Sequence, residues 1–73
     1  MPRSFSGPAL RTARRSAGLT VPQLAAAVGR SQWTVYNVET GRVSVSVDLA
    51  DAFAEAVAVP LERLLWSDEL AAV

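Results

Sequence analysis

Residues 20–41 read TVPQLAAAVGRSQWTVYNVETG, and the fold is decided there. Thr20 and Gln23 have the spacing of a capping box, in which each side chain satisfies a backbone group that the helix start leaves free. Pro22 falls in the first turn, where its missing N–H is tolerated. Leu24, Ala25 and Val28 then recur at helical spacing as a buried stripe. Gly29 stops that helix and permits a tight turn. Ser31 caps a second short helix over residues 32–39, and Gly41 terminates it. On this second helix Val35 and Val38 point inward, while Gln32, Trp33, Tyr36 and Asn37 lie roughly opposite on the wheel. Two short helices joined by a glycine turn have the helix-turn-helix form.

The flanks extend the helical pattern. Upstream, Gly7-Pro8 opens a helix, because proline is favoured in the first turn. Leu10, Ala13 and Ala17 share one face of it, Arg11 and Arg15 fall off that face, and Gly18 suits the position that ends it. Residues 1–6 read as a flexible arm. Downstream, residues 42–45 form a loop. Ser46 then caps a fourth helix, with Asp48 in its first turn where the dipole favours an anion. Val47, Ala50, Phe53, Ala54 and Val57 give its apolar stripe. Val59-Pro60 starts a fifth helix with Leu61, Leu64 and Leu65 facing the core. The expectation is an all-α, compact five-helix domain over residues 7–66, followed by a tail over residues 67–73.

The chain has 73 residues, 51% of them hydrophobic, with no cysteine and no histidine. A domain of this size buries only about 60% of the surface its unfolded chain exposes. No disulfide or thiolate site can reinforce it, so stability must come from helix packing, a partner subunit, or both. The first residues lack the apolar stretch of a secretory signal. No run approaches the ~20 apolar residues of a membrane span. These features point to a cytoplasmic protein with no membrane partner. The charges balance overall, seven basic against seven acidic, but their order does not. Residues 1–42 hold six arginines and only Glu39 (net +5), while residues 43–73 hold Arg63 and six acids (net −5). Such polarity marks a half that faces nucleic acid or a membrane.

The outward face of the second short helix carries the chemistry. A DNA major groove admits one helix, and side chains near that helix's N-terminus must reach base edges. Gln32 and Asn37 suit this, since a side-chain amide can bond an adenine edge twice. Thr34 can meet a thymine methyl or a phosphate. Tyr36 offers a hydroxyl to phosphate and a ring to sugar. Trp33 either stacks on sugar or thymine methyl, or packs against the preceding helix. A merely solvated face would favour better helix formers such as Glu, Lys, Arg or Ala, and exposed aromatics mark interfaces. An enzyme is poorly supported without histidine, cysteine, a nucleophile elbow or a phosphate loop. No cofactor and no metal is expected.

From Leu10 to Leu65 the sequence resembles the phage repressor and Cro-like helix-turn-helix family, the xenobiotic-response-element type. The resemblance rests on Arg14, Gly18-Leu19-Thr20, Leu24-Ala25, Val28-Gly29, Ser31-Gln32, Thr34-Val35, Glu39-Thr40-Gly41 and Ala54. It implies a lambda-repressor-like fold that binds double-stranded DNA and regulates transcription. It implies that Gln32, Trp33 and Asn37 fall where bases are read, and that Arg42 meets a phosphate. It also implies that Arg14 and Glu39 form a partly buried ion pair tying the first helix to the end of the recognition helix. Two positions depart from the family. Val21 stands where a phosphate-gripping glutamine is common, which passes that grip to Thr20 and Gln23. Arg42 is alone in a loop usually rich in Lys and Arg. The phosphate set is then Arg11, Arg15, Thr20, Gln23, Arg30, Ser31 and Arg42, with Arg3 beyond it.

The end of the chain stays apolar at Leu65, Trp66, Leu70 and Val73. These either fold back over the first and fifth helices or make a two-fold contact, as in a homodimer on DNA with recognition helices about 34 Å apart. The expectation is therefore a dimeric repressor or Cro-like regulator in the cytoplasm of a bacterial or phage-infected cell. The alternative is an interaction module on the same fold, an antitoxin-like or host-protein-binding domain.

Overall fold

A computed structural model describes residues 4–66. In chain order its elements are β1 (Ser4–Phe5), α1 (Gly7–Ser16), α2 (Val21–Val28), α3 (Gln32–Glu39), α4 (Val47–Ala56), a 3-10 turn (Leu61–Leu64) and β2 (Leu65–Trp66). Each α-helix begins at a hydroxyl cap that accepts a backbone N–H: Ser6 from Ala9, Thr20 from Gln23, Ser31 from Thr34 and Ser46 from Leu49. At the four C-termini the hydrogen bonds also share one pattern. After α2, for instance, Gly29 N–H donates to Ala26 and Arg30 N–H to Ala25. These paired bonds are the Schellman motif, which needs a left-handed residue just past the helix. Glycine supplies it after α1, α2 and α3, whereas α4 uses Ala58 at φ 59°.

The core is a single cluster. Leu10 of α1, Leu24 and Ala25 of α2, Val35 and Val38 of α3, Phe53 and Ala54 of α4, Val57 and Leu64 pack together. α2 lies against α3 and α4, and α1 lies against α3 and the 3-10 turn. The close crossing of α1 and α3 depends on Gly7. A Cβ there would collide with the backbone oxygens of Val38 and Glu39, with the Glu39 oxygen at 2.6 Å.

The five-helix, all-α expectation is corrected in two places. The fifth helix is only the four-residue 3-10 turn, because Pro60 bounds it on one side and Leu65 is already extended (φ −112°, ψ 141°) on the other. Leu64 is nevertheless buried, with Leu61 and Leu65 half-buried. Residues 4–6 do not belong to a flexible arm. Ser4–Phe5 pairs antiparallel with Leu65–Trp66, in the register Ser4 to Trp66 and Phe5 to Leu65. Phe5 stacks at a tilt on Phe53, 6.0 Å between ring centroids. Ser6 N–H donates to Leu64 O at 2.6 Å. The α4 stripe also loses one member: Val47, the helix's first residue, is 73% exposed. Residues 1–3 and the tail over 67–73 lie outside the described residues.

Candidate nucleic-acid interface

The turn at Gly29, Arg30 and Ser31 sets α3 across α2. Val35 and Val38 seat α3 in the core. Its opposite face holds Gln32, which is exposed, Trp33 at 69% exposure and Tyr36 at 50%. Positions three and four apart are neighbours on a helix surface, so Tyr36 adjoins both Gln32 and Trp33.

Asn37 does not join them. The residue is only 6% exposed, which removes it from the outward face where the wheel put it. A wheel treats α3 as covered from one side. Here Asn37 is buried beyond the core stripe, and α1 crosses the last turn of α3 at Gly7, against the backbone of Val38 and Glu39. The Asn37 carbonyl is used inside the turn, accepting the Arg42 N–H at 2.8 Å and the Thr40 hydroxyl at 3.3 Å.

Arg14 and Glu39 fix this crossing. Arg14 Nε donates to Glu39 Oε2 at 2.7 Å and Nη2 donates to Oε1 at 3.3 Å. Nη1 donates to the Leu19 carbonyl at 2.9 Å. Both side chains are largely withdrawn from solvent. One guanidinium therefore joins α1, the α1–α2 turn and the end of α3.

Around this frame the polar groups are arranged as donors. Gln23 N–H donates to Thr20 Oγ1 at 3.2 Å, and Thr20 N–H donates to Gln23 Oε1 at 2.9 Å. Both bonds use side-chain acceptors. The Thr20 hydroxyl hydrogen and the Gln23 amide hydrogens stay free to donate, and both residues are exposed. At the start of α3, Ser31 Oγ accepts the Thr34 N–H at 3.1 Å and shares a hydrogen bond with Thr34 Oγ1 at 3.0 Å. Two hydroxyls with one bond between them leave one O–H to spare. Thr34 itself is half-buried. Two helix N-termini capped in this way present donors suited to anions.

Arg11, Arg15, Arg30 and Arg42 are all exposed. Arg11 shares a shallow cleft with Val21, Tyr36 and Thr40, above the Arg14–Glu39 pair. That cleft joins an exposed cation to the outward face of α3. Thr40 was not anticipated. Its hydroxyl donates to Tyr36 O at 2.9 Å, and a threonine next to a closing glycine gives no such signal in the sequence. Of the apolar end, Leu65 is half-buried and Trp66 is 48% exposed; Leu70 and Val73 lie outside the described residues. No helix among the described residues is long and apolar enough to cross a membrane.

Comparisons with known proteins agree with this geometry. A family described as Helix-turn-helix domain matches residues 7–66. The restriction-modification controller protein C.AhdI from Aeromonas hydrophila is 31% identical, with a TM-score of 0.76 over 80% of this chain and 88% of that one. The clp gene regulator ClgR from Corynebacterium glutamicum is also 31% identical, with a TM-score of 0.75 over 80% of this chain and 75% of that one. A hypothetical transcription factor from Neisseria shares the fold at 23% identity and a TM-score of 0.78, over 90% of this chain and 76% of that one. No curated protein sequence matches the chain. With the family matched over residues 7–66 and two gene regulators aligned across most of their length, the chain belongs to the helix-turn-helix family of xenobiotic-response-element type and has the fold of its transcription regulators.

Proposed function

We propose that this chain is a sequence-specific regulator of the repressor or Cro-like kind, acting in the cytoplasm on double-stranded DNA. α3 enters the major groove and two copies bind one site. One observation carries the reading. Gln32, Trp33 and Tyr36 stand exposed on a helix whose inner face is fully packed. Among the described residues, nothing in the packing requires two aromatic rings in that position. The exposed arginines and the spare donors of Thr20, Gln23 and Ser31–Thr34 supply a phosphate grip on either side. That grip is thin, with Val21 and a single Arg42 at family contact positions, so pairing of two half-sites carries much of the affinity. Leu65 and the exposed Trp66 are the described part of the surface assigned to that contact, with Leu70 and Val73 as its continuation.

Selection from random duplex DNA tests this. The expected product is a palindrome with half-sites about one helical turn apart. Its binding should weaken with salt by a log–log slope of about −0.9 per phosphate neutralised. Gln32→Ala should reduce discrimination at one base pair by about 1–3 kcal/mol. Failure to enrich any sequence would sink the assignment and favour capture of a protein partner on the same fold.

A further inference from the structure

We propose that α3 reads the 5-methyl group of pyrimidines in the major groove, with Trp33 and Tyr36 as the reading surface. This rests on the DNA-binding reading above and says what kind of contact gives the specificity.

Guanine is most often read by arginine or lysine, and residues 32–39 contain neither. Their only charged residue, Glu39, is buried on Arg14, so it cannot accept from cytosine. Of the two amides, Asn37 is buried and Gln32 alone is exposed. Thr34 is half-buried and shares one hydrogen bond with Ser31, and the O–H that this pair has to spare is assigned to phosphate. Polar reading by α3 thus comes down to Gln32, the indole N–H of Trp33 and the hydroxyl of Tyr36. Most of the exposed face is aromatic carbon.

An aromatic surface in the major groove has one apolar feature to meet, the methyl at pyrimidine C5. Thymine carries it on every A·T pair, and 5-methylcytosine places the same group on a G·C pair. Trp33 and Tyr36 are one turn apart, so a methyl between them is screened from water on two sides. Burying one methyl in this way changes affinity about fourfold. A symmetric site with one such contact per half changes about sixteenfold.

The test uses the full chain and the duplex recovered by selection, with binding followed by fluorescence anisotropy. Thymines are replaced by uracil one at a time, and cytosines by 5-methylcytosine one at a time. If thymine is the source, uracil weakens binding about fourfold at one position per half-site. If methylated cytosine is the source, uracil has no effect and methylation strengthens binding by a similar factor. Trp33→Ala should bring the responsible ratio to one while salt-dependent binding persists, and its thermal melt should be unchanged because the side chain is exposed. The proposal is overturned if the protein selects a sequence but ignores both substitutions, an outcome that leaves the DNA-binding reading intact. It is also overturned if Trp33→Ala keeps the ratio. Failure to select any duplex overturns both readings together.

Discussion

Replacing Glu39 by glutamine would remove one charge from the domain and change almost nothing in shape. Its effect should nevertheless be large. In the native protein the carboxylate accepts from Arg14 Nε and Nη2, and the pair is largely hidden from water. The amide of Glu39→Gln can accept one of those bonds, but its NH2 then faces the other guanidinium donor. The charged guanidinium is left buried and underpaired, holding one bond to the amide and one to the Leu19 carbonyl. Breaking a buried pair from one side costs about 3–5 kcal/mol, and the lower end suits a pair that keeps a little exposure. A domain of this length has about 4–11 kcal/mol in total. Urea unfolding followed by far-ultraviolet circular dichroism should show a midpoint lowered by about 3 M, taking a slope of about 1 kcal/mol per M. Arg14→Met alone should be comparably damaging. The double variant Arg14→Met with Glu39→Leu should recover most of the loss, because an apolar pair of similar volume is close to neutral. A cycle coupling above about 2 kcal/mol is expected. If Glu39→Gln costs under about 1 kcal/mol, the pair behaves as a screened surface contact and the account of how α1 is fastened to α3 is wrong.

Ala58→Gly should stabilise the domain by about 1 kcal/mol, because Ala58 occupies the left-handed region at φ 59° where a Cβ is penalised; an unchanged or lower unfolding midpoint would contradict this. Gly7→Ala should destabilise by about 1–3 kcal/mol, since the new methyl meets backbone rather than a movable side chain; a melt like that of the parent would mean α1 can shift freely. Asn37→Ala should lower stability by about 1 kcal/mol and leave the selected DNA sequence as it was, given its burial. A changed base preference would return Asn37 to the reading face.

What the sequence made legible was what local chemistry decides. The capping box of Thr20 and Gln23, the caps Ser31 and Ser46, and the glycines after α1, α2 and α3 were readable, because each satisfies backbone groups a few residues away. The core stripe of α2 and the inward valines of α3 followed from periodicity. What escaped depends on distant neighbours. A wheel places Asn37 outward because it knows only the spacing along one helix, not which neighbours cover it. Val47 was placed inward because the stripe was extended one turn beyond the packing. The β1–β2 pair is two residues long on each side, too short for an alternation to register. Ala58 gave no sign at all, since its Cβ disfavours positive φ and it lacks the side-chain amide or carboxylate that marks such positions in other residues. The Arg14–Glu39 pair came from family resemblance; helical spacing alone puts Arg14 next to Arg11, which is exposed.

The strand pair has a consequence for the order of assembly. Phe5 and Leu65 are about 60 residues apart yet lie side by side, and closing so long a loop is among the slower steps available to a small chain. Synthesis makes the N-terminus first. β1 and the Ser6 N–H therefore wait, unsatisfied, until Leu64 and Leu65 have left the ribosome. α2 and α3, whose contacts are close in sequence, can assemble earlier. On this account α2 and α3 are built while the first turn of α1 is still open, and completion of β2 closes the domain around them.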